Sequence, residues 1–134
     1  MNDWTSNVAG TGFDQINITG SLNLTGGLGA YGLDIPSLTL ANTAGNVGNF
    51  SEVNDSWTIL TTTTGITGFD AANWSLLTSN FSTSPAYSGS FNLTQAGNNL
   101  VLSYAVPEPS TYILIALSLT ALVVFRRRRQ NMVS

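Results

Sequence analysis

The chain of 134 residues contains no cysteine, no histidine and no lysine, and charged residues make up only 8% of it, against about 25% in an ordinary soluble domain. Each absence removes a chemistry. Without histidine there is no Ser-His-Asp or Cys-His machinery. Without cysteine or histidine there is no ordinary zinc or copper site. Without lysine there is no Schiff base and no P-loop lysine. The lack of cysteine also means no disulfides, which leaves the redox compartment open. Positive charge is confined to four consecutive residues, Arg126, Arg127, Arg128 and Arg129, so residues 1–125 carry seven carboxylates and no base. A body of that kind has nothing with which to neutralise phosphates, which argues against a nucleic-acid partner. The expectation is no catalytic residue, no metal and no cofactor.

What is present divides into two parts, a body over 1–105 and a distinct segment over 106–134. Thr111–Phe125 reads TYILIALSLTALVVF, free of charge, glycine and proline, and the four arginines follow at once. This is the pattern of one C-terminal transmembrane α-helix, over 110–125, with a cationic stop. Its nine Ile, Leu, Val and Phe residues favour insertion by about 3–5 kcal/mol. At about 24 Å the helix is shorter than the hydrocarbon core of about 30 Å; arginine snorkelling and Tyr112 cover part of the deficit. The positive-inside rule keeps Arg126–Arg129 cytoplasmic and places residues 1–106 outside. Met1-Asn2-Asp3-Trp4 has neither the basic nor the apolar region of a signal peptide. The chain therefore reads as the C-terminal portion of a longer exported protein, with tail anchoring as the alternative.

The body reads as all-β, built of short strands in a β-solenoid-like stack or a small sandwich. Apolar residues alternate as Ile16/Ile18, Leu22/Leu24, Leu28/Ala30 and Leu38/Leu40, the first three pairs recurring every six residues with Gly20-Ser21 and Gly26-Gly27 between them. Period-two alternation places each pair on one strand face, and glycine supplies the corners. Ser56–Thr61 reads as a further strand. Phe91–Leu93 and Leu100–Tyr104 read as a hairpin around Gly97-Asn98-Asn99, and the Ser/Thr-rich stretch Thr78–Gly89 with Pro85 reads as loop.

Val106-Pro107-Glu108-Pro109-Ser110, the hydrophobic run and Arg126–Arg129 together resemble the PEP-CTERM sorting signal of bacteria, a domain also labelled the ice-binding protein C-terminal domain. The resemblance implies that Pro107, Glu108 and Pro109 are the sorting motif read at the outer membrane face by exosortase, a membrane cysteine transpeptidase-like enzyme, and that Arg126–Arg129 are the stop-transfer block. It implies a single-pass membrane precursor with a cytoplasmic C-terminus and a mature form at the cell surface or in the extracellular matrix. Two prolines suit such a motif, because they keep the segment extended and unpaired. The body is similar to the terminal module of passengers with autotransporter-associated β-strand repeats, through Phe13–Gly20, Leu22–Leu24, Ser56–Thr61 and Gly65–Phe69.

Other residues invite sharper readings. Glu52 and Asp55 could form a carboxylate pair for glycoside hydrolysis, or with Asn54 a calcium site; a polar loop before a strand is the plain alternative. Trp4, Trp57, Trp74 and Tyr87 could stack on sugars of an exopolysaccharide, although strand aromatics more often fill cores. Thr61–Thr64 and Thr67 could form a hydroxyl face for ice, which would require a regular array on successive coils. The expected function is that of a non-enzymatic exported surface or matrix protein, structural or adhesive. Alternatives are a carbohydrate-binding module, a polysaccharide-active enzyme and an ice-binding protein.

Overall fold

Strands of three or four residues cannot stand alone and need close neighbours. In the computed structural model, which describes residues 1–26 and 31–107, the chain provides those neighbours by lying down beside itself. β1 (Ile16–Ile18), β2 (Ser21–Asn23) and β3 (Tyr31–Asp34) are followed by β4 (Asp55–Thr62) and β5 (Gly65–Thr67). A 3-10 turn at Ala71–Asn73 leads to β6 (Trp74–Leu77), and β7 (Ser90–Ala96) and β8 (Asn99–Ala105) close the body.

β1 pairs with β4, β2 with β5 and β3 with β6, all in parallel; Ile16 faces Leu60, Ser21 faces Gly65 and Tyr31 faces Trp74, separations of 44, 44 and 43 residues. A nearly constant separation in parallel pairs means one full circuit of chain between stacked strands. The body is all-β, and its short strands lie as two coils of chain joined through parallel pairs. Side chains repeat the pitch. Thr61 Oγ1 donates to Asn17 Oδ1 (2.7 Å), Asn80 Nδ2 to Asp34 Oδ2 (3.2 Å) and Asn49 Nδ2 to Asp3 Oδ1 (3.1 Å). At the corner after β1, Gly20 adopts φ 125°, open to glycine alone without strain, and its N–H meets Thr63 Oγ1 of the coil beside it at 2.7 Å.

The chain then reverses. β8 lies antiparallel between β4 and β7, so the main sheet has the order β1-β4-β8-β7. Ala96 faces Asn99 across Gly97-Asn98, and Gly97 takes φ 59° at the first central position of the turn, as a II′ hairpin requires. From this hairpin the Gln95 amide donates to the Ile66 carbonyl at 3.0 Å, an acceptor on β5, whose one ladder partner among the described residues is β2.

The six-residue rhythm marks successive sides of one coil, β1 and then β2; its third pair, Leu28/Ala30, lies outside the described residues. One expectation changes. Leu38 and Leu40 do not form a strand. They sit in a loop closed by an isolated Leu38–Ala44 bridge, and Leu40 is exposed. β4, the closing hairpin and the loop over 78–89 follow the expected pattern.

The core centres on Trp4, which is fully buried. Its ring meets Phe50, Trp57 and Tyr104 edge-on at 4.8, 4.9 and 4.9 Å. Phe13, Ile35, Val47, Phe81 and Leu102 complete this cluster, and Ile66, Leu93 and Leu100 form a second under the hairpin. An apolar cavity of about 270 Å³ runs between coils and hairpin, with Phe13, Ile16, Leu33, Trp74 and Leu100 among its walls and Asp14 and Asp34 also in its lining. Trp4→Ala removes the shared packing partner of both coils and the hairpin, and should cost about 3–5 kcal/mol. Chemical denaturation of the full chain in detergent, compared with wild type, measures it.

Candidate functional site

The sequence places its recognition motif immediately after the body, so the end of β8 is where a site must be built. Two loops hold that end. Tyr104, the penultimate residue of β8, is 1% exposed. Its hydroxyl donates to Glu52 Oε1. The same carboxylate oxygen accepts from Ser88 N (3.0 Å), Ser88 Oγ (3.1 Å) and Gly89 N (3.2 Å), and Gly89 N also reaches the Tyr104 hydroxyl at 2.7 Å. Gly89 has to be glycine, because a Cβ there would collide with the Ala105 carbonyl and the Tyr104 ring.

Two residues beyond Glu52, Asn54 Oδ1 accepts the backbone N–H of Val106 at 2.8 Å. Val106 is half-buried, and its side chain packs against the main core. Ala105, paired with Ser90, is the last ladder residue. Pro107 is exposed and lies outside any strand, and as a proline it has no N–H to donate. Among the described residues, Val106 makes the last of these hydrogen bonds. Glu108, Pro109, the expected span over 110–125 and Arg126–Arg129 lie outside the described residues. Among the described residues no helix is long and apolar enough to cross a membrane.

The electrostatics follow from these contacts. Hydrogen bonding from Tyr104, then from Ser88 and Gly89, holds the Glu52 carboxyl below its ordinary value. Burial raises the Tyr104 phenol, reinforced by its bond to Glu52. A carboxylate held ionised by donors suits structural anchoring rather than proton donation. Asp55 accepts instead from the N–H of Ser56 at 2.7 Å, so Glu52 and Asp55 have separate partners. Glu52 and Asn54, offered above as calcium ligands, accept from protein N–H and O–H groups, and no cluster of three or more acidic ligands occurs among the described residues.

The remaining candidates are dispersed. Trp4 and Trp57 are buried at 0% and 1% exposure, which removes them as sugar platforms. Tyr87 packs half-buried against Phe81 at 5.2 Å. Trp74 is half-buried, its ring 5.0 Å from Tyr31 and tilted by 32°. The threonines form no single face. Thr62 is buried and bonds the Asn98 carbonyl, Thr63 serves the Gly20 corner, and Thr61 and Thr67 face Asn17 and Asn23. Sequence reasoning missed the task of Glu52 and Asn54 at the end of β8. The available signal was their position before the strand that pairs with it.

A family model described as the PEP-CTERM protein-sorting motif matches residues 105–129. The matched stretch contains all three elements of the signal, Pro107-Glu108-Pro109, the hydrophobic run and the arginine block. It begins one residue before the boundary expected from sequence, inside the last residue of β8. The match indicates an exosortase-processed sorting signal on an exported protein, made as a membrane-anchored precursor and processed to a surface or extracellular form. Neither a curated protein nor a solved structure gives a match to the chain. The comparisons therefore lend no support to the autotransporter-like reading of the body or to the ice-binding label.

A lowered Glu52 value has a defined consequence for stability. Its contribution is complete above the ordinary carboxylate value of 4.5 and is lost as pH falls through the lower folded value. Glu52→Gln should therefore flatten the acid limb of a stability–pH profile. Thermal unfolding of both proteins between neutral pH and about pH 3 measures the difference.

Proposed function

We propose that this chain is a non-enzymatic surface or extracellular-matrix protein, structural or adhesive in role, whose C-terminal segment is removed or exchanged by an exosortase. The observation that carries this reading is the family match over 105–129, which begins at the last residue of β8. Each part has a physical task. Pro107 and Pro109 keep the motif extended and unable to join a sheet through their nitrogens. The hydrophobic helix over 110–125 holds the motif at the outer membrane face. Arg126–Arg129 stop translocation and stay cytoplasmic. Residues 1–106 then lie outside, where a body with carboxylates and no basic side chain is well solvated. Removal of 106–134 takes Glu108 and all four arginines, so a precursor of net charge −3 matures to a body with six acids and no basic side chain.

Mass spectrometry of the protein from its native host tests this. The mature C-terminus should lack Arg126–Arg129, and replacing Pro107, Glu108 and Pro109 with alanine should leave the full-length precursor in the membrane. Mature protein that still carries the arginine block ends the processing reading.

Carbohydrate binding is the second reading, and one observation favours it. Tyr31 and Trp74 are ladder partners of β3 and β6 with half-buried rings, a pair that could stack on an exopolysaccharide ring. Trp74→Ala should then abolish retention on matrix polysaccharide, measured by affinity electrophoresis; equal retention of wild type and variant removes Trp74 from that role.

A further inference from the structure

An enzyme that grips an extended peptide does so through main-chain hydrogen bonds as well as side-chain pockets. Of the four residues Val106-Pro107-Glu108-Pro109, two are prolines without an N–H. The first N–H available upstream of the motif is therefore that of Val106. In the folded protein it is already occupied, donated to Asn54 Oδ1 at 2.8 Å. The Val106 side chain is seated against the core. Behind it, Tyr104 is tied to Glu52, and Glu52 to Ser88 and Gly89. Ala105 is held in the ladder opposite Ser90. No free spacer separates the body from the motif.

We propose that Asn54 is a positioning residue for processing, a latch that withholds Val106 so that the sorting motif becomes a substrate at a rate set by release of this one residue. The proposal rests on the sorting role argued above. The latch lies in a loop 52 residues upstream in sequence, so it closes only once β4 and β8 have paired. Access to the motif is thereby coupled to the folded state of the body, because the Asn54–Val106 bond exists only in the folded end of β8. Glu52 supports the latch from below by fixing Tyr104, and Asn54 makes the contact itself.

The experiment uses the full-length chain in detergent and in native-host membranes. Amide hydrogen exchange in wild type should show Val106 protected. Asn54→Ala should speed exchange at Val106 about fivefold, the worth of one net hydrogen bond, and leave Leu102 unchanged. Asn54→Asp, which keeps an acceptor oxygen, should behave as wild type. In membranes, Asn54→Ala should be processed faster by a similar factor and Asn54→Asp at the wild-type rate. Inserting Gly-Ser-Gly between Val106 and Pro107 should erase the difference between wild type and Asn54→Ala, which a merely structural effect of Asn54 would not do. An unprotected Val106 amide in wild type overturns the latch. So does an Asn54→Ala protein with a freed amide and unchanged processing, or a difference that survives the insertion. If the triple alanine variant of the motif is processed like wild type, the sorting reading itself fails and takes the processing role of Asn54 with it. Exchange at Val106 separates that result from failure of the latch.

Discussion

The packing of aromatic rings around Trp4 holds the closing hairpin to the second coil, and the end of β8 depends on it. The ring partners of Trp4 come from later in the chain: Phe50 and Trp57 from the second coil, Phe81 from the loop after β6, and Phe91 and Tyr104 from the closing hairpin. All but the tilted Phe81 pair are edge-to-face, an arrangement that adds about 0.5–1.5 kcal/mol per pair beyond the area buried. That matters because the strands are short. β1, β2 and β5 have three residues each, too few to hold a ladder by backbone bonds alone. What lies between the walls adds to the ladders: the rings around Trp4 in one cluster, and Ile66, Leu93 and Leu100 with Leu22 packed against them in the other.

The same constraint reaches the C-terminal junction. Tyr104 has one face in the aromatic cluster and its hydroxyl on Glu52. Fixing Tyr104 fixes the end of β8, and the end of β8 sets where Val106 meets Asn54. A ring contact deep in the body and the exposure of Pro107 are thus linked through three consecutive residues. The phenol also explains why a carboxylate can sit there: it donates a hydrogen bond to an ionised group, with two backbone amides and a serine hydroxyl sharing the charge. The base-free composition leaves no cation in the body's side chains for the task, so hydroxyl and amide donors replace the salt bridge another protein would use.

Much of the local structure was legible in sequence. Gly97-Asn98 between apolar alternations marked the hairpin, Ser56–Thr61 marked β4, and Gly20 marked a corner. The coil length was not legible. Partners such as Ile16 and Leu60, or Tyr31 and Trp74, share character but not identity, and two coils give a repeat only one chance to be seen. The tryptophans were ambiguous for a different reason. Whether an aromatic fills a core or offers a face depends on what stacks beside its strand, and for Trp4 those neighbours lie about 50 or more residues away.

The sequence by itself determined the sorting signal. Its three elements are contiguous, and each acts through covalent or local properties: a missing N–H, a run of apolar side chains, a block of fixed charge. Tertiary structure decided where that signal begins to be free. Glu52 and Asn54 look like any polar loop until the chain has travelled around a second coil and returned along β8. Only then do Tyr104 and Val106 arrive opposite them, because a hydrogen bond needs its donor within about 3 Å, and only the fold brings residues 52 positions apart to that distance.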